Sequence, residues 1–366
     1  MRGLSVLLLP LALGCGGGAR PSSADDGFVP LFNGRDLSGW VRVNCAPETF
    51  RASEGLIVIS GKPTGVLRTE RMYENYIVEF DWMHLQKGGN SGFFIHSGAM
   101  PVKGQPFTKG HEIQVLDGDD PKGLWTGQGD IFSIHGATFV PDRPHPAGWM
   151  RCLPSEKRAY PFGHWNHYRV VVNDGTVKLE VNGKEVSGGT KCDPRKGYLC
   201  LESEGAPCHF RNLRLKELPS TNPPPQEIAE EYQGLQSLYT GLDLRGWTGT
   251  DGWKANDWVL EGSAHAGLLS TERSVQNFLL VFDWKSSKNG NLELHLGDST
   301  VSLSAEVKAG QWDRIIVAVQ GDQCSVNQDG RKKTHTISPA TAPHPIAFQA
   351  SGEKIQFANL FLSALK

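Results

Sequence analysis

The sequence predicts an all-β protein that consists of two tandem copies of one two-sheet sandwich or jelly roll. Its 366 residues include 43 Gly, 22 Pro and 10 Trp, a composition that suits many short strands joined by turns. Short segments that alternate apolar and polar residues, bounded by Gly, Asn and Asp, are typical of strands with one apolar face. Several such segments occur twice in the same order, which indicates a duplicated domain.

The repeat is clearest in segments that end on tryptophan. The segment "PLFNGRDLSGW" ends at Trp40 and returns as "SLYTGLDLRGW", which ends at Trp247. In the same way "GVLRTERMYENYIVEFDW" returns as "GLLSTERSVQNFLLVFDW". These pairs predict one copy at 28–218 and a second at 235–366. The Pro triplet within 219–234 suits a semi-rigid linker between them.

The first copy carries a polar insertion that the second lacks. In the first copy 83 positions separate Trp82 from Trp165, whereas 28 separate the corresponding Trp284 from Trp312. The added sequence includes "GHEIQVLDG", "GQGDIFSIHGA" and "RCLPSEKRAYPFG". A duplicated scaffold with its polar elaboration on one copy suggests that this copy holds the function. The alternative is a surface insertion without a function.

The N-terminal residues 1–15 are typical of a lipoprotein signal peptide. One Arg precedes the apolar run 4–13, which is too short to span a membrane as a helix and is followed by Gly14 and Cys15. The ending "LALGC" resembles a bacterial lipobox in which Cys15 is lipidated, and 16–27 suits a flexible tether. The sequence therefore predicts an exported lipoprotein, periplasmic or at the cell surface. An ordinary secretory signal is the alternative.

Charge and cysteine content argue against two classes of protein. Lys plus Arg number 37 against 39 Asp plus Glu, and no basic run suggests a nucleic-acid partner. We therefore expect membrane contact only through the lipid anchor. The sequence contains no Cys-x-x-Cys motif, so we do not expect a zinc ribbon. Export permits disulfides, of which Cys152–Cys192 is the preferred pair and Cys200–Cys208, across a hairpin, a second candidate, although spacing alone leaves the connectivity open.

The stretch "GHEIQVLDG" reads as a β-strand with an unusual polar face. Ile113 and Val115 alternate with Glu112 and Gln114, so one face of the strand is apolar and the other presents a carboxylate and an amide. Glu and Gln are poor strand formers, which favours a site over a merely solvated face. If neighbouring strands align, the same face also collects Glu79, Asp81 and His96. Carboxylates near a histidine are suited to proton transfer.

Metal binding is a separate possibility on the same residues. The histidines His96, His111 and His135 could join Glu112 or Asp117 as nitrogen and oxygen ligands of a divalent ion. The acidic turn "LDGDD" lacks the spacing of an EF-hand loop, so a solvated turn is the preferred interpretation there.

Six segments in order carry a resemblance to a known family. They are "FVPLFNGRDLSGW", "NSGFFIHS", "HEIQVLD", "GHWNHYRV", "VNGKEV" and "LESEGAPCHFRNLRL". Together they resemble the 3-keto-disaccharide hydrolase domain family over the first copy, with a degenerate second copy behind it. The resemblance implies a concanavalin A-like jelly roll and cleavage of glycosides whose sugar carries a 3-keto group. Glu112, Gln114 and Asp117 match the family best, whereas His96 stands where many relatives have Arg.

The sequence thus predicts a carbohydrate substrate and assigns roles to nine residues. Glu112 is the expected base or acid, with His96 and Asp117 completing the catalytic group. The expected sugar-binding residues are Gln114, Glu79, Asp81, His111, His135 and Trp125. A ketone at C3 acidifies the proton on C2, so a base can remove it while the group at C1 leaves by elimination.

Two alternatives remain open at this point. One is an ordinary glycosidase with two carboxylates, such as Glu112 with Glu79 or Asp81. The other is a carbohydrate-binding module without activity, since jelly rolls host lectins and hydrolases alike. For the second copy, binding or structural support is the preferred interpretation, although His295 aligns with His96.

Overall fold

The computed structural model describes residues 26–118, 127–287, 290–304, 310–351 and 354–365. Over these residues the chain is all-β, apart from a short 3-10 helix at Pro225–Glu227, and forms two sandwiches of antiparallel sheets. The predicted fold class is confirmed. In this part of the chain no helix has the length and apolar character needed to cross a membrane.

The first sandwich contains strands β1 to β16. One sheet has the order β10-β14-β13-β12-β6-β16-β4-β3, with β1 beside β16, and the facing sheet has the order β11-β9-β8-β7-β15-β5-β2. The strands are β1 Val29–Pro30, β2 Trp40–Val43, β3 Phe50–Ser53, β4 Leu56–Ile59, β5 Gly65–Thr69, β6 Tyr76–His84, β7 Asn90–Ser97, β8 Gly110–Leu116, β9 Ile131–Ile134, β10 Thr138–Pro141, β11 Arg151–Cys152, β12 Asn166–Asn173, β13 Thr176–Val181, β14 Lys184–Asp193, β15 Tyr198–Ser203 and β16 Cys208–Glu217.

The second sandwich contains strands β17 to β29. Its sheets have the orders β19-β20-β29-β22-β25-β26-β27, with β17 beside β29, and β18-β21-β28-β23-β24. The strands are β17 Gln236–Ser237, β18 Trp247–Thr248, β19 Trp253–Asn256, β20 Val259–Ser263, β21 Leu269–Val275, β22 Phe278–Ser286, β23 Asn291–Leu296, β24 Ser299–Ser304, β25 Asp313–Gln320, β26 Gln323–Gln328, β27 Arg331–Thr336, β28 His344–Ser351 and β29 Lys354–Ala364.

The repeated motif forms the same turn in both sandwiches. Trp40 donates its indole N–H to the carbonyl of Leu31 at 2.8 Å, and Trp247 donates to Leu238 at 3.1 Å. The glycine before each tryptophan has a positive φ, 85° at Gly39 and 86° at Gly246, which favours glycine. The shared turn and the matching sheet orders explain why the sequence repeats.

The two sandwiches pack against each other through the outer faces of two sheets. The β7-β15-β5-β2 side of the first sandwich meets the β22-β29 side of the second, with the segment after β7 between them. Asp283, fully buried, accepts a hydrogen bond from the backbone of Gly104 at 2.8 Å. The apolar residues of this interface are Val43, Val66, Phe94, Ala99, Tyr198, Cys200, Leu235, Val281 and Phe361.

The expected disulfide is wrong. Every cysteine among the described residues is a buried free thiol, Cys152 and Cys192 included. The Cys152 sulfur accepts a hydrogen bond from the Gly188 backbone at 3.4 Å, whereas Cys192 lies in β14 and its backbone N–H donates to the Gly175 carbonyl at 2.9 Å. Burial raises the pKa of the Cys192 thiol to about 12, because the thiolate would lose its hydration there.

Candidate active site

The polar face of β8 is the starting point of the site. Ile113 and Val115 are fully buried between the sheets, so alternation sends Glu112 and Gln114 to the outer face. Glu112 is nevertheless only 5% exposed and Gln114 only 6%. Burial of this kind is unusual for Glu and Gln, and it separates this face from an ordinary solvated surface.

A glycine on the neighbouring strand makes room for the Glu112 carboxyl. Gly92 of β7 pairs with Gln114, and Phe94 pairs with Glu112. A Cβ atom at Gly92 would lie 2.6 Å from Oε1 of Glu112, so the Glu112 side chain lies directly over the glycine backbone. The absence of a side chain here allows a close approach that any other residue would block.

A second carboxyl reaches the same place from the next strand. Leu201 of β15 pairs with Phe93 and belongs to the core, so Glu202 projects onto the outer face beside Gly92. Glu202 is 1% exposed, and neither of its carboxyl oxygens has a hydrogen-bond partner within the described chain. Glu112 and Glu202 therefore meet over Gly92 as a pair of buried carboxyls.

A third carboxyl is held by an amide chain along the same face. Nε2 of Gln114 donates to Oδ1 of Asn90 at 2.7 Å, and Nδ2 of Asn90 donates to the Glu204 carboxylate. Glu204 is half-buried at the end of β15. We call Glu112, Glu202 and Glu204 the carboxyl cluster.

The carboxyl cluster contains groups with different affinities for protons. Burial first, and then the Glu204 charge, raise the pKa of Glu112 well above its ordinary value. Burial and the neighbouring Glu112 do the same to the pKa of Glu202. Burial raises the pKa of Glu204 only to about 7, because the Asn90 hydrogen bond opposes it. Near neutral pH the cluster therefore holds both protonated and ionised carboxyls.

A buried ion pair supports the edge of the site. Nη1 of Arg151 lies 2.6 Å from Oδ2 of Asp130, and the Arg151 guanidinium stacks over the Phe132 ring at 3.9 Å. Phe132 of β9 pairs with Glu112. The Arg151 charge acts to lower the pKa of Glu112, although burial outweighs it. Arg151, on the edge strand β11, thus links the edge of the sheet to the carboxyl cluster.

The expectation that Glu79 and Asp81 share the Glu112 face is wrong. Both lie on β6, in the other sheet, because alternation fixes the face of a strand but not the sheet to which it belongs. Glu79 accepts hydrogen bonds from Arg169 and Arg214, and Asp81 accepts from neighbours that include Asn212. Their carboxylates form ion-pair networks on the far side of the sandwich.

The expectation that His96 lies on the Glu112 face and joins the catalytic group is wrong for a different reason. His96 has a φ of 53° at an irregularity between β7 and β15, which turns its fully buried ring away from the Phe94 side. Its ring packs 6.2 Å from Tyr76 and 5.9 Å from His111. Burial lowers the pKa of His96 to about 3, so the ring is neutral and belongs to the interior.

The remaining predicted residues do not join the carboxyl cluster either. His111 is fully buried, with Nδ1 2.8 Å from Oγ of Ser133 and Nε2 3.0 Å from the Pro194 carbonyl. Asp117 accepts backbone hydrogen bonds at 2.8 Å from Gly88 and from Phe162, so it ties two loops together at the end of β8. His135 is half-buried in the turn after β9, away from the carboxyl cluster. Trp125 and Cys15 lie outside the described residues.

The donor sets proposed for a metal ion are not assembled. Within the described ranges no group of three His, Cys, Asp or Glu side chains is arranged to hold an ion. His96 and His111 bond to carbonyls or pack in the interior, and Asp117 accepts backbone N–H groups. These donors do not fit a metal, and we derive no step through one.

Sequence reasoning missed Glu202, Glu204, Asn90 and Gly92. The signal was present, because "LESEG" alternates Leu and Ser with Glu in the same period-2 pattern as "HEIQV". What the pattern does not contain is the pairing that puts β15 next to β7 and β7 next to β8.

Comparison with known proteins assigns the family. The model of the 3-keto-alpha-glucoside-1,2-lyase-like domain matches residues 27–216. The chain belongs to this family. A 3-keto-disaccharide hydrolase of Bacteroides thetaiotaomicron is 24% identical, with the match covering 53% of this chain and 79% of the relative. Membership of the 3-keto-alpha-glucoside-1,2-lyase-like family supports a glycoside-active function in broad terms.

Solved structures similar to this chain include two with sugar-related names. A putative glycosyl hydrolase of Parabacteroides distasonis is 25% identical, with a TM-score of 0.42 over 53% of this chain and 95% of that chain. A carbohydrate-binding module of Bacillus subtilis is 10% identical, with a TM-score of 0.35 over 49% and 96% of the two chains. The family match covers the first sandwich of this 3-keto-alpha-glucoside-1,2-lyase-like chain, which also contains the carboxyl cluster.

Gly92→Ala is expected to disturb the Glu112 carboxyl. The new methyl group would lie 2.6 Å from Oε1 of Glu112, so the carboxyl must move from its position. A displacement of about 1 Å in an active site can lower the rate roughly 100-fold. Steady-state kinetics checks this, with thermal unfolding to establish that the variant is folded. Gly98→Ala is the control, because Gly98 does not need a positive φ and a Cβ there would have its nearest contact at an ordinary 3.8 Å. Unchanged kcat/KM in Gly92→Ala would contradict the close approach.

Glu202→Gln is expected to stabilise the protein at alkaline pH. A folded-state pKa above the ordinary value means that the folded state holds a proton the unfolded state has lost, so the free energy of unfolding falls as pH rises above about 4.5. Removing the group should raise stability at pH 8 and have little effect near pH 4. Denaturant unfolding across pH measures this, with the exposed Glu231→Gln as control. A variant less stable than wild type at pH 8 would count against it.

Proposed function

We propose that the protein cleaves glycosides whose sugar carries a ketone at C3, by acid–base catalysis at the carboxyl cluster. The observation that carries the proposal is the meeting of three carboxyls, with unlike affinities for protons, on one buried sheet face. Family membership supports the substrate class, because the matching domain is described as 3-keto-alpha-glucoside-1,2-lyase-like.

The three carboxyls match the three requirements of an elimination. Glu204, with its pKa raised only to about 7, supplies the carboxylate that removes the proton from C2. Glu112 keeps its proton near neutral pH and donates it to the glycosidic oxygen as the C1–O bond breaks. Glu202 is also protonated, and a neutral carboxyl can donate a hydrogen bond to the C3 oxygen, where negative charge develops.

The products follow from the balance of this step. The C2–H electron pair becomes the C1=C2 double bond, and the C1–O pair leaves with the departing alcohol. The sugar is released as an unsaturated ketone, and addition of water across the double bond gives the free 3-keto sugar. Elimination followed by hydration has the same overall result as hydrolysis.

The test compares 3-keto disaccharides with their unoxidised parents. Purified protein from about residue 20 should release product from the keto compounds only, because the parents lack the acidified C2 proton. Glu204→Gln should lose activity, whereas Glu202→Gln should lose less, since its amide can still donate a hydrogen bond. Release from the parents would indicate an ordinary glycosidase. Binding without release would make the protein a carbohydrate-binding module.

We also propose that the protein is exported and anchored by a lipid on Cys15. The sequence "LALGC" and the tether that follows it support this. Fractionation of cells that express wild type and Cys15→Ser tests the proposal. Wild type should partition with membranes and Cys15→Ser should not, and equal partitioning of the two would overturn it.

A further inference from the structure

A turn of the second sandwich is hydrogen-bonded to a loop of the first. Asp257, between β19 and β20, has a φ of 54° and directs its carboxylate at Thr64. Oδ1 accepts the Thr64 backbone N–H at 2.6 Å, and Oδ2 accepts the Thr64 hydroxyl at 2.7 Å. The Asp257 carbonyl is held in turn by the Tyr239 hydroxyl at 2.9 Å. This bidentate contact fixes the loop between β4 and β5.

That loop contacts the segment that carries Glu204. The backbone N–H of Gly205 donates to the carbonyl of Gly61 at 2.7 Å. A Cβ atom at Gly61 would lie 2.5 Å from the backbone of Ala206. The backbones of the two segments are therefore in direct contact, with no room for a side chain between them. A continuous path of contacts therefore runs from Asp257 through residues 61–64 to Glu204.

We infer that Asp257 is a positioning residue for Glu204, so that the second sandwich is part of the catalytic unit. This inference rests on the proposed function of the carboxyl cluster. It gives the second sandwich a role beyond structural support, because one of its carboxylates sets the position and the electrostatic surroundings of a carboxyl in the first.

The charge of Asp257 acts in the same direction as its position. After burial, the negative charge of Asp257 is what raises the pKa of Glu204, against the hydrogen bond from Asn90. The other ionisable groups that interact with Glu204 are Glu112 from β8 and Glu202 from its own strand. Asp257 is the member of this set that belongs to the second sandwich.

A second contact between the sandwiches provides a matched control. Arg245 donates to Glu48 at 2.7 and 3.1 Å, and both side chains are about half exposed. Glu48→Gln removes an inter-domain carboxylate, as Asp257→Asn does, but Glu48 is not among the groups that raise the pKa of Glu204. A general loosening of the interface would affect both variants alike.

The experiment measures the pH profile of kcat/KM for Asp257→Asn on a 3-keto disaccharide. Activity rises with pH as Glu204 ionises, so loss of the Asp257 charge should move this acidic limb to lower pH by about half a unit to one unit. Asp257→Glu should restore the limb, and Glu48→Gln should leave it in place. An unshifted limb in Asp257→Asn would overturn the inference.

A substrate-free measurement separates this inference from the proposed function. Denaturant unfolding between pH 5 and 8 should show a smaller loss of stability with rising pH in Asp257→Asn than in wild type. In a Glu204→Gln background the same change should have no pH-dependent effect. Coupling without any glycoside cleavage would sustain the action of Asp257 on Glu204 but reject the proposed function, and with it the catalytic role of the second sandwich. Cleavage without coupling would support the proposed function and overturn the inference about Asp257.

Discussion

Glu112→Gln should lower kcat/KM on 3-keto glycosides by roughly 100- to 10,000-fold, the usual contribution of a positioned proton donor. The amide has nearly the same shape as the carboxyl but cannot give a proton to the departing oxygen. Because burial raises the pKa of Glu112, the amide also removes an unfavourable ionisation, and the variant should be at least as stable as wild type at pH 8. Steady-state kinetics and denaturant unfolding measure the two effects.

Glu79→Gln is the matched control for this loss. Glu79 is the carboxylate that an ordinary glycosidase mechanism would have paired with Glu112, yet it lies on β6 and bonds to Arg169 and Arg214. Its substitution should leave kcat/KM within about threefold. If Glu79→Gln lost as much activity as Glu112→Gln, the assignment of chemistry to the carboxyl cluster would fail.

Arg151→Met should lower the free energy of unfolding by about 3 to 5 kcal/mol, the usual effect of removing one partner of a buried ion pair. The Asp130 side chain is fully buried and lies 2.6 Å from the guanidinium, so its charge would remain in the interior without this compensation. The methionine retains much of the apolar contact with the Phe132 ring. Urea unfolding at pH 7 measures the change.

Two further variants define the origin of that effect. Asp130→Asn combined with Arg151→Met removes both charges and should recover a large part of the lost stability. Arg35→Met, at an exposed position, should change stability by less than about 0.5 kcal/mol. If the double variant were no more stable than Arg151→Met alone, packing rather than charge would explain the loss.

Much of the fold could be predicted from the sequence because its signals are local. The repeated "GW" turn needs a glycine with positive φ and a tryptophan that bonds back to the chain, and both copies have them. Period-2 alternation assigned Ile113 and Val115 to the core and Glu112 and Gln114 to the other face.

The rest of the site depends on pairing between distant segments, which alternation does not contain. Glu79 alternates as well as Glu112 does, yet β6 lies in the opposite sheet. His96 follows the pattern of Phe94 until an irregularity with a φ of 53° reverses its direction. Glu202 joins the site only because β15 pairs with β7, a neighbour that is distant in sequence.

Elimination at the carboxyl cluster is tested most directly by the reaction of a 3-keto disaccharide in D2O, followed by mass spectrometry and ultraviolet absorbance. Authentic 3-keto sugar, incubated with and without the protein, corrects for exchange at C2. We expect wild type to release the unsaturated ketone, or its hydrated form with one deuterium on C2, and Glu112→Gln to release neither at a comparable rate. Rapid release of a 3-keto sugar without deuterium on C2 and without the unsaturated ketone would contradict elimination.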